Sequence, residues 1–245
     1  MTLRASLLAL ALIGGLHASA TAAPLPAPAC ELSNAVVLVH GYRDTGRIFG
    51  PMGRRLTARG FRVYTPTLAP SDGSVPLDTL AARLSAYVDA TLPAGACFGL
   101  VGYSMGGLVA RAYAQALPDS GRVTSLVTLS TPHRGTLSAY TRRGPGTRQM
   151  RPGSAFLRAL DANAGRLADV PFTSFWTPLD LVIVPASSSR VPFAAGGPVF
   201  EVAHPMMYLS PRVARRVAAA LRAAERARAA PTPAGPGTAR PTAAG

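Results

Sequence analysis

Gly102-Tyr103-Ser104-Met105-Gly106 reads G-x-S-x-G. An apolar run, Cys97 to Val101, leads into it, and a helix-like stretch, Leu108 to Leu117, leads out. A serine at a strand-to-helix junction has to sit on a sharp, strained turn. Only residues without a Cβ at its flanks let the strand and the helix close around it. The hydroxyl is then held at the top of a sheet and at a helix N-terminus, whose dipole favours negative charge. The feature therefore calls for strand, tight turn and helix in succession, and it marks Ser104 as a candidate nucleophile.

A serine needs a base to take its proton and an acid to orient that base. On an elbow of this kind they follow in the order serine, acid, histidine. The histidines are His17, His40, His133 and His204. His17 lies in an N-terminal apolar segment and His40 precedes the serine. His133, in Ser130-Thr131-Pro132-His133-Arg134-Gly135, comes before any good acid candidate. His204, in Glu201-Val202-Ala203-His204-Pro205, follows a late apolar segment and precedes a long final helix, so it takes the base role. For the acid, Phe172-Thr173-Ser174-Phe175-Trp176 is β-branched and aromatic and reads as a strand. The turn Thr177-Pro178-Leu179-Asp180 then sets a carboxylate at the strand's C-terminal end. The competing acids are Asp161, late in an expected helix, Asp169, at the strand's entry, and Glu201, close to His204 in sequence.

Val36-Val37-Leu38-Val39-His40-Gly41-Tyr42 is a wholly apolar strand ending in His-Gly, the signature of a parallel strand buried on both faces. Its glycine lets the chain turn so that the next backbone N–H points at a substrate oxygen. Tyr42 and Met105 N–H are the expected oxyanion donors. His40 is expected to be structural, hydrogen-bonded in the loop.

These segments together resemble a family. His40-Gly41-Tyr42, Gly102 to Gly107, Leu129 to Thr136, Met150 to Leu157, Pro178-Leu179-Asp180 and Ala203-His204 look like successive blocks of the bacterial secreted triacylglycerol lipases and esterases of the α/β-hydrolase superfamily. The resemblance spans about residues 35 to 215. It implies an α/β-hydrolase fold, carboxylic ester substrates and no cofactor. Ser104 is then the nucleophile, Asp180 the acid and His204 the base of an acyl-enzyme mechanism, with Tyr42 and Met105 as oxyanion donors. One position departs from the pattern. Many such lipases follow His-Gly with a small residue and a second glycine, whereas Tyr42-Arg43-Asp44 follows here. In the resembled fold the strands after Cys30 and Cys97 are neighbours, which implies a Cys30–Cys97 disulfide. Two other activities share these features: an acyltransferase using the same triad, and a non-catalytic binding protein on the same fold.

Apolar runs at 35–39, 61–65, 98–102, 123–129, 172–176 and 199–202 alternate with helix-like segments. That alternation argues for a doubly wound, mostly parallel sheet flanked by helices. Leu77, Leu80, Leu84, Tyr87 and Val88 form a helical stripe suited to core packing. Residues 133–170 break the alternation and are the candidate lid or cap, with Met150, Phe156, Leu157 and Leu160 as its apolar underside. The remaining organisation reads as a signal peptide over 1–23, a catalytic domain over 24–230 and a disordered Pro/Ala/Gly tail over 231–245. The protein is expected to be exported.

The formal charge is +14, and all 25 basic residues are arginine. Seven of them (134, 142, 143, 148, 151, 158 and 166) fall in the candidate lid region, a face that would attract anionic lipid surfaces. No nucleic-acid motif or interleaved aromatic platform occurs. No metal site is expected, and a monomer acting on an ester or lipid substrate is.

Overall fold

The computed structural model describes residues 31–116 and 121–229. The expected signal segment, Cys30 and the expected tail lie outside these residues. Strands β1 (Glu31–Val39), β2 (Arg62–Tyr64), β3 (Ala96–Tyr103), β4 (Val123–Leu129), β5 (Phe172–Trp176) and β6 (Ala195–Pro198) form one sheet in the order β2-β1-β3-β4-β5-β6. Every pairing is parallel. Each strand must therefore return to the same edge of the sheet before the next begins, a job usually done by helices.

Those helices are α1 (Gly50–Thr57), α2 (Leu77–Thr91), α3 (Met105–Ala116), α4 (Pro145–Gln149), α5 (Ala155–Ala162), α6 (Met206–Leu209) and α7 (Pro211–Ala229). They divide the core into two layers. Val37 and Val39 of β1 pack with α2, α3 and α5 on one face. Val36 and Leu38 pack with α1, α6 and α7 on the other. Since successive side chains of a strand point to opposite faces, a strand covered on both sides has to be apolar throughout, as this one is. The α2 stripe buries Leu77, Leu80, Leu84 and Val88, and α7 buries Val213, Val217 and Leu221. Each such side chain stabilises the fold by about 1.5–3 kcal/mol on transfer from water. α1 has Pro51 in its first turn, and the chain leaves it through Gly60 at φ +85°.

One strand is not where the sequence pattern sets it. The apolar segment 199–202 is irregular, and Ala195–Pro198 makes the sixth strand instead. The reason is the length of its partner. Pairing from Thr173 with Ala195 to Trp176 with Pro198 uses up β5, and Val199 N–H closes the ladder on Trp176 O at 2.8 Å. The chain then turns, with the Thr177 hydroxyl donating to Glu201 O at 2.5 Å. Phe200 and Val202 are left exposed.

The candidate lid, 133–170, holds a 3-10 turn (Leu137–Thr141), α4 and α5. Ser154 caps α5 by accepting from Leu157 N–H at 3.2 Å. Met150, Phe156, Leu157 and Leu160 are buried against the α2–α3 layer. Arg111, fully buried in α3, reaches Leu160 O at 3.1 Å and Asp161 Oδ1 at 2.8 Å and so ties α5 down. Near the sheet's C-terminal edge, Leu137 N–H donates to Val184 O at 2.8 Å, and the Ser138 hydroxyl donates to Val182 O at 2.8 Å.

Candidate active site

Ser104 sits between β3 and α3 at φ +55°, a left-handed backbone conformation that non-glycine residues rarely adopt. The two glycines of its motif meet the close approach that the turn imposes. A Cβ on Gly102 would run into Gly107 Cα, and one on Gly106 would run into the carbonyl oxygens of Val39 and His40. Elbow, β1 and α3 are thus packed main chain to main chain. Ser104 N–H is held by Leu129 O at 2.8 Å. Strain of this kind costs of order 1–3 kcal/mol and clusters at functional sites.

The turn after β5 brings Asp180 to the turn after β6. His204 Nδ1 lies 2.7 Å from Asp180 Oδ2, and both side chains are buried. Asp180 Oδ1 accepts from Val182 N–H at 2.9 Å and Ile183 N–H at 2.8 Å. Burial pushes the Asp180 carboxyl up, but the hydrogen bond and charge of His204, with the Ile183 amide, outweigh it and hold the group below the usual carboxylate range. An ionised acceptor requires His204 Nδ1 to carry the proton, which leaves Nε2 as the basic nitrogen. The His204 ring stacks at a tilt on Tyr103, with centroids 4.8 Å apart.

Ser104 and His204 line one cavity of about 170 Å³, together with Tyr42, Met150, Val182 and Ile183. Tyr42 and Met105 N–H make no hydrogen bond among the described residues, while the neighbouring Arg43 N–H is spent on Ser71 O at 2.8 Å. The two amides lie just past the ends of β1 and β3. A larger cleft of about 730 Å³ at the β6 edge, lined by Arg134, Trp176 and Arg190, contains neither Ser104 nor His204.

His40 is a bracket in the β1 loop. Its Nδ1 donates to Gly41 O at 3.0 Å and its Nε2 accepts from Leu68 N–H at 2.9 Å. Burial lowers its pKa, so it is held neutral. His133 is buried beside Thr128, with Nε2 3.0 Å from the Thr128 hydroxyl, and burial followed by the charge of Arg111 pushes its pKa well down. Of the competing acids, Asp161 is occupied by Arg111 and Glu201 by the Ser210 hydroxyl at 2.6 Å, while Asp169 is exposed ahead of β5, at the opposite end of that strand from Asp180. Cys97 is buried at the start of β3, and its expected partner lies outside the described residues.

Two features of the site go beyond what the sequence pattern assigns. Asp44 lines the cavity, and Arg43 takes φ +58° on the way to it. A lone aspartate three residues past a glycine is ordinary loop composition, and only the turn's geometry aims it inward. The second feature is a collar of exposed apolar side chains. Leu137, Tyr140, Leu179, Leu181, Val182, Phe200 and Val202 all stand on the loops that carry or bound Asp180 and His204.

The profile of the alpha/beta hydrolase family matches residues 36–243. The chain belongs to that family. No curated protein sequence matches it. Among solved structures, a mature lipase from Bacillus licheniformis has 16% identity and a TM-score of 0.60, over 80% of this chain and 94% of that one. An extracellular α/β-hydrolase from a Paenibacillus species has 17% identity and a TM-score of 0.54, over 78% and 98% of the two chains. A pyrethroid hydrolase from Sphingobium faniae has 19% identity and a TM-score of 0.53, over 81% and 99%. At these identities the likeness is one of fold. Within the family, this chain is an α/β-hydrolase with lipase and esterase neighbours.

Proposed function

We propose that the protein is a secreted serine carboxylic-ester hydrolase acting on lipid esters through an acyl-enzyme. The observation that carries this reading is one cavity lined by a strained elbow serine and by a histidine whose Nδ1 is bonded to a buried carboxylate at 2.7 Å. His204 Nε2 takes the Ser104 proton as Ser104 Oγ attacks the ester carbonyl. Tyr42 and Met105 N–H hold the oxyanion, which lies at the N-terminus of α3 where the dipole favours it. His204 then passes the proton to the leaving alcohol, and water repeats the sequence to release the acid. Tyr103 stays neutral beside it, since burial, then the charges of Tyr208, Asp44 and Asp180, raise its pKa above the usual tyrosine range.

The cavity of about 170 Å³ is smaller than the roughly 300–1,000 Å³ of drug-sized ligand sites. It suits a short or medium acyl chain together with the alcohol moiety next to the ester, with the remainder of the lipid on the apolar collar. Leu181, 89% exposed, and Phe200, 71% exposed, project from that collar; Arg151 stacks on its Tyr140, and Arg142 lines the cavity. Exposed apolar side chains with arginines among them fit an anionic lipid surface. Export suits the N-terminal sequence, and a Cys30–Cys97 disulfide suits the register, in which Glu31 pairs with Ala96.

Purified mature protein should hydrolyse p-nitrophenyl esters from acetyl to palmitoyl with the highest kcat/KM on short to medium chains. Ser104→Ala should abolish turnover on all of them. Equal rates from wild type and Ser104→Ala would sink the mechanism. Flotation with vesicles rich in phosphatidylglycerol tests the surface: the wild type should float, and a Leu181→Asp, Phe200→Asp double variant should not.

A further inference from the structure

The cavity holds a carboxylate that this chemistry does not use. Asp44 is fixed by its backbone: its N–H donates to Gly41 O at 3.3 Å, and its carbonyl accepts from the Ser71 hydroxyl at 2.9 Å. Its carboxylate makes no hydrogen bond or ion pair among the described residues. A Cβ built on Gly41 would lie 3.1 Å from Ser104 Cβ and 3.2 Å from Asp44 Oδ2. The carboxylate therefore stands across a single glycine from the nucleophile. Arg142, which also lines the cavity, stacks on the Tyr42 ring with its guanidinium carbon 4.6 Å from the centroid. It is not paired with Asp44.

Half-burial strips part of the water from this carboxylate, which has no protein partner to replace it, and that carries a solvation cost. Burial raises its carboxyl above the usual range, against the pull of His40 and His204. A bound donor would offset that cost. The position of Asp44 says which part of an ester could supply one. The leaving oxygen must come within hydrogen-bond reach of His204 to receive its proton, and Asp44 is close enough to His204 to feel its charge. The alcohol moiety, rather than the acyl chain, is thus the part that passes Asp44. A carboxylate accepts best from a charged donor, next from a hydroxyl, and repels an anion.

We propose that Asp44 is a specificity-determining residue, selecting esters whose alcohol moiety carries an ammonium or hydroxyl donor close to the ester oxygen and turning away those that carry an anion. This inference rests on the ester-hydrolase reading of Ser104.

The test uses four butyrate esters, ethyl, hydroxyethyl, dimethylaminoethyl and sulfoethyl, followed by pH-stat at neutral pH with the mature protein. The wild type should favour the dimethylaminoethyl ester and disfavour the sulfoethyl ester. Asp44→Asn, which keeps the shape and both backbone bonds, should lower the ratio of kcat/KM between those two by at least about tenfold, or 1.4 kcal/mol. Asp44→Lys should invert the ratio. A ratio unmoved in both variants overturns the proposal. So does a parallel fall on all four esters, which would mean that Asp44 acts on the chemistry and not on selection. Ser104→Ala is run beside them. Should the wild type cleave none of the esters, or Ser104→Ala cleave them equally well, the hydrolase reading falls and takes this inference with it. An active wild type, a dead Ser104→Ala and an unmoved ratio remove the Asp44 inference alone.

Discussion

Replacing Asp180 by Asn and by Ala separates two jobs that its two oxygens perform. Oδ2 faces His204 Nδ1 at 2.7 Å, and Oδ1 accepts the Val182 and Ile183 amides at 2.9 and 2.8 Å. Asparagine can keep its oxygen on the two amides, which turns its NH2 toward His204. The ring must then accept at Nδ1 and carry its proton on Nε2, the wrong tautomer for a base. The expected loss is about 10⁴ in kcat, or roughly 5.4 kcal/mol of transition-state stabilisation, with stability almost unchanged. Alanine loses the same activity and also strands the amides. Val182 is exposed and can turn to water, but Ile183 is buried, so one unsatisfied donor should cost about 1–3 kcal/mol. Steady-state hydrolysis of p-nitrophenyl butyrate and urea unfolding of the three proteins measure both effects. An Asn variant within tenfold of wild type would refute the orienting role of Asp180. Equal unfolding midpoints for Asn and Ala variants would refute the account of Oδ1.

Other outcomes follow from the packing. Gly106→Ala drives a methyl into the Val39 and His40 carbonyls, so its cost should sit at or above the top of the usual 1–3 kcal/mol for overpacking. A thermal melt should fall by about 6 °C or more, and an unchanged melt would contradict the close contact of β1 and α3. His40 and His133 both have depressed pKa values in the folded chain. Above about pH 6.5 they are neutral in both states, and below it the unfolded chain takes up protons that the folded chain refuses. Stability should therefore fall on acidification from pH 6.5, by at most about 1.4 kcal/mol per pH unit for each histidine. Urea midpoints should show this slope and His133→Gln should flatten it; a profile level in both proteins would count against the buried neutral state. The mature protein, denatured without reductant, should show no thiol reactive toward a disulfide reagent, and Cys97→Ser should lose roughly 2–5 kcal/mol of stability. Two reactive thiols in the unreduced chain would end the Cys30–Cys97 proposal.

The parts of this fold that the sequence displays are those where burial leaves no choice. β1, β3 and β4 are covered on both faces, so their apolar runs and their ends at His40, Ser104 and Ser130 are visible at once. The short sixth strand is the opposite case. Ala-Gly-Gly-Pro has weak strand character, and it is extended because β5 offers it a ladder at the sheet edge, where a proline is tolerated. The apolar residues just beyond, Phe200 and Val202, look more like a strand than the strand does. The site divides in the same way. Ser104, Asp180 and His204 are signalled by turns at strand ends, and the structure brings His204 against Asp180 and into one cavity with Ser104. Asp44 carries no such signal, because its place depends on a left-handed residue at Arg43 that composition does not announce.

The clasp between Leu137–Ser138 and Val182–Val184 has a consequence for how the proposed ester hydrolase could be retuned. One side of the clasp is hung from Asp180 through the Ile183 amide, so the cavity wall and the Asp180–His204 pair share a single anchor. Exchanging the 181–184 loop to enlarge the pocket would disturb the orientation of His204 as a side effect. Ala139 and Met150 face the same cavity from the far side of the clasp. Their side chains can be enlarged or trimmed without touching that anchor, which makes them the positions where chain-length preference and turnover can be varied separately.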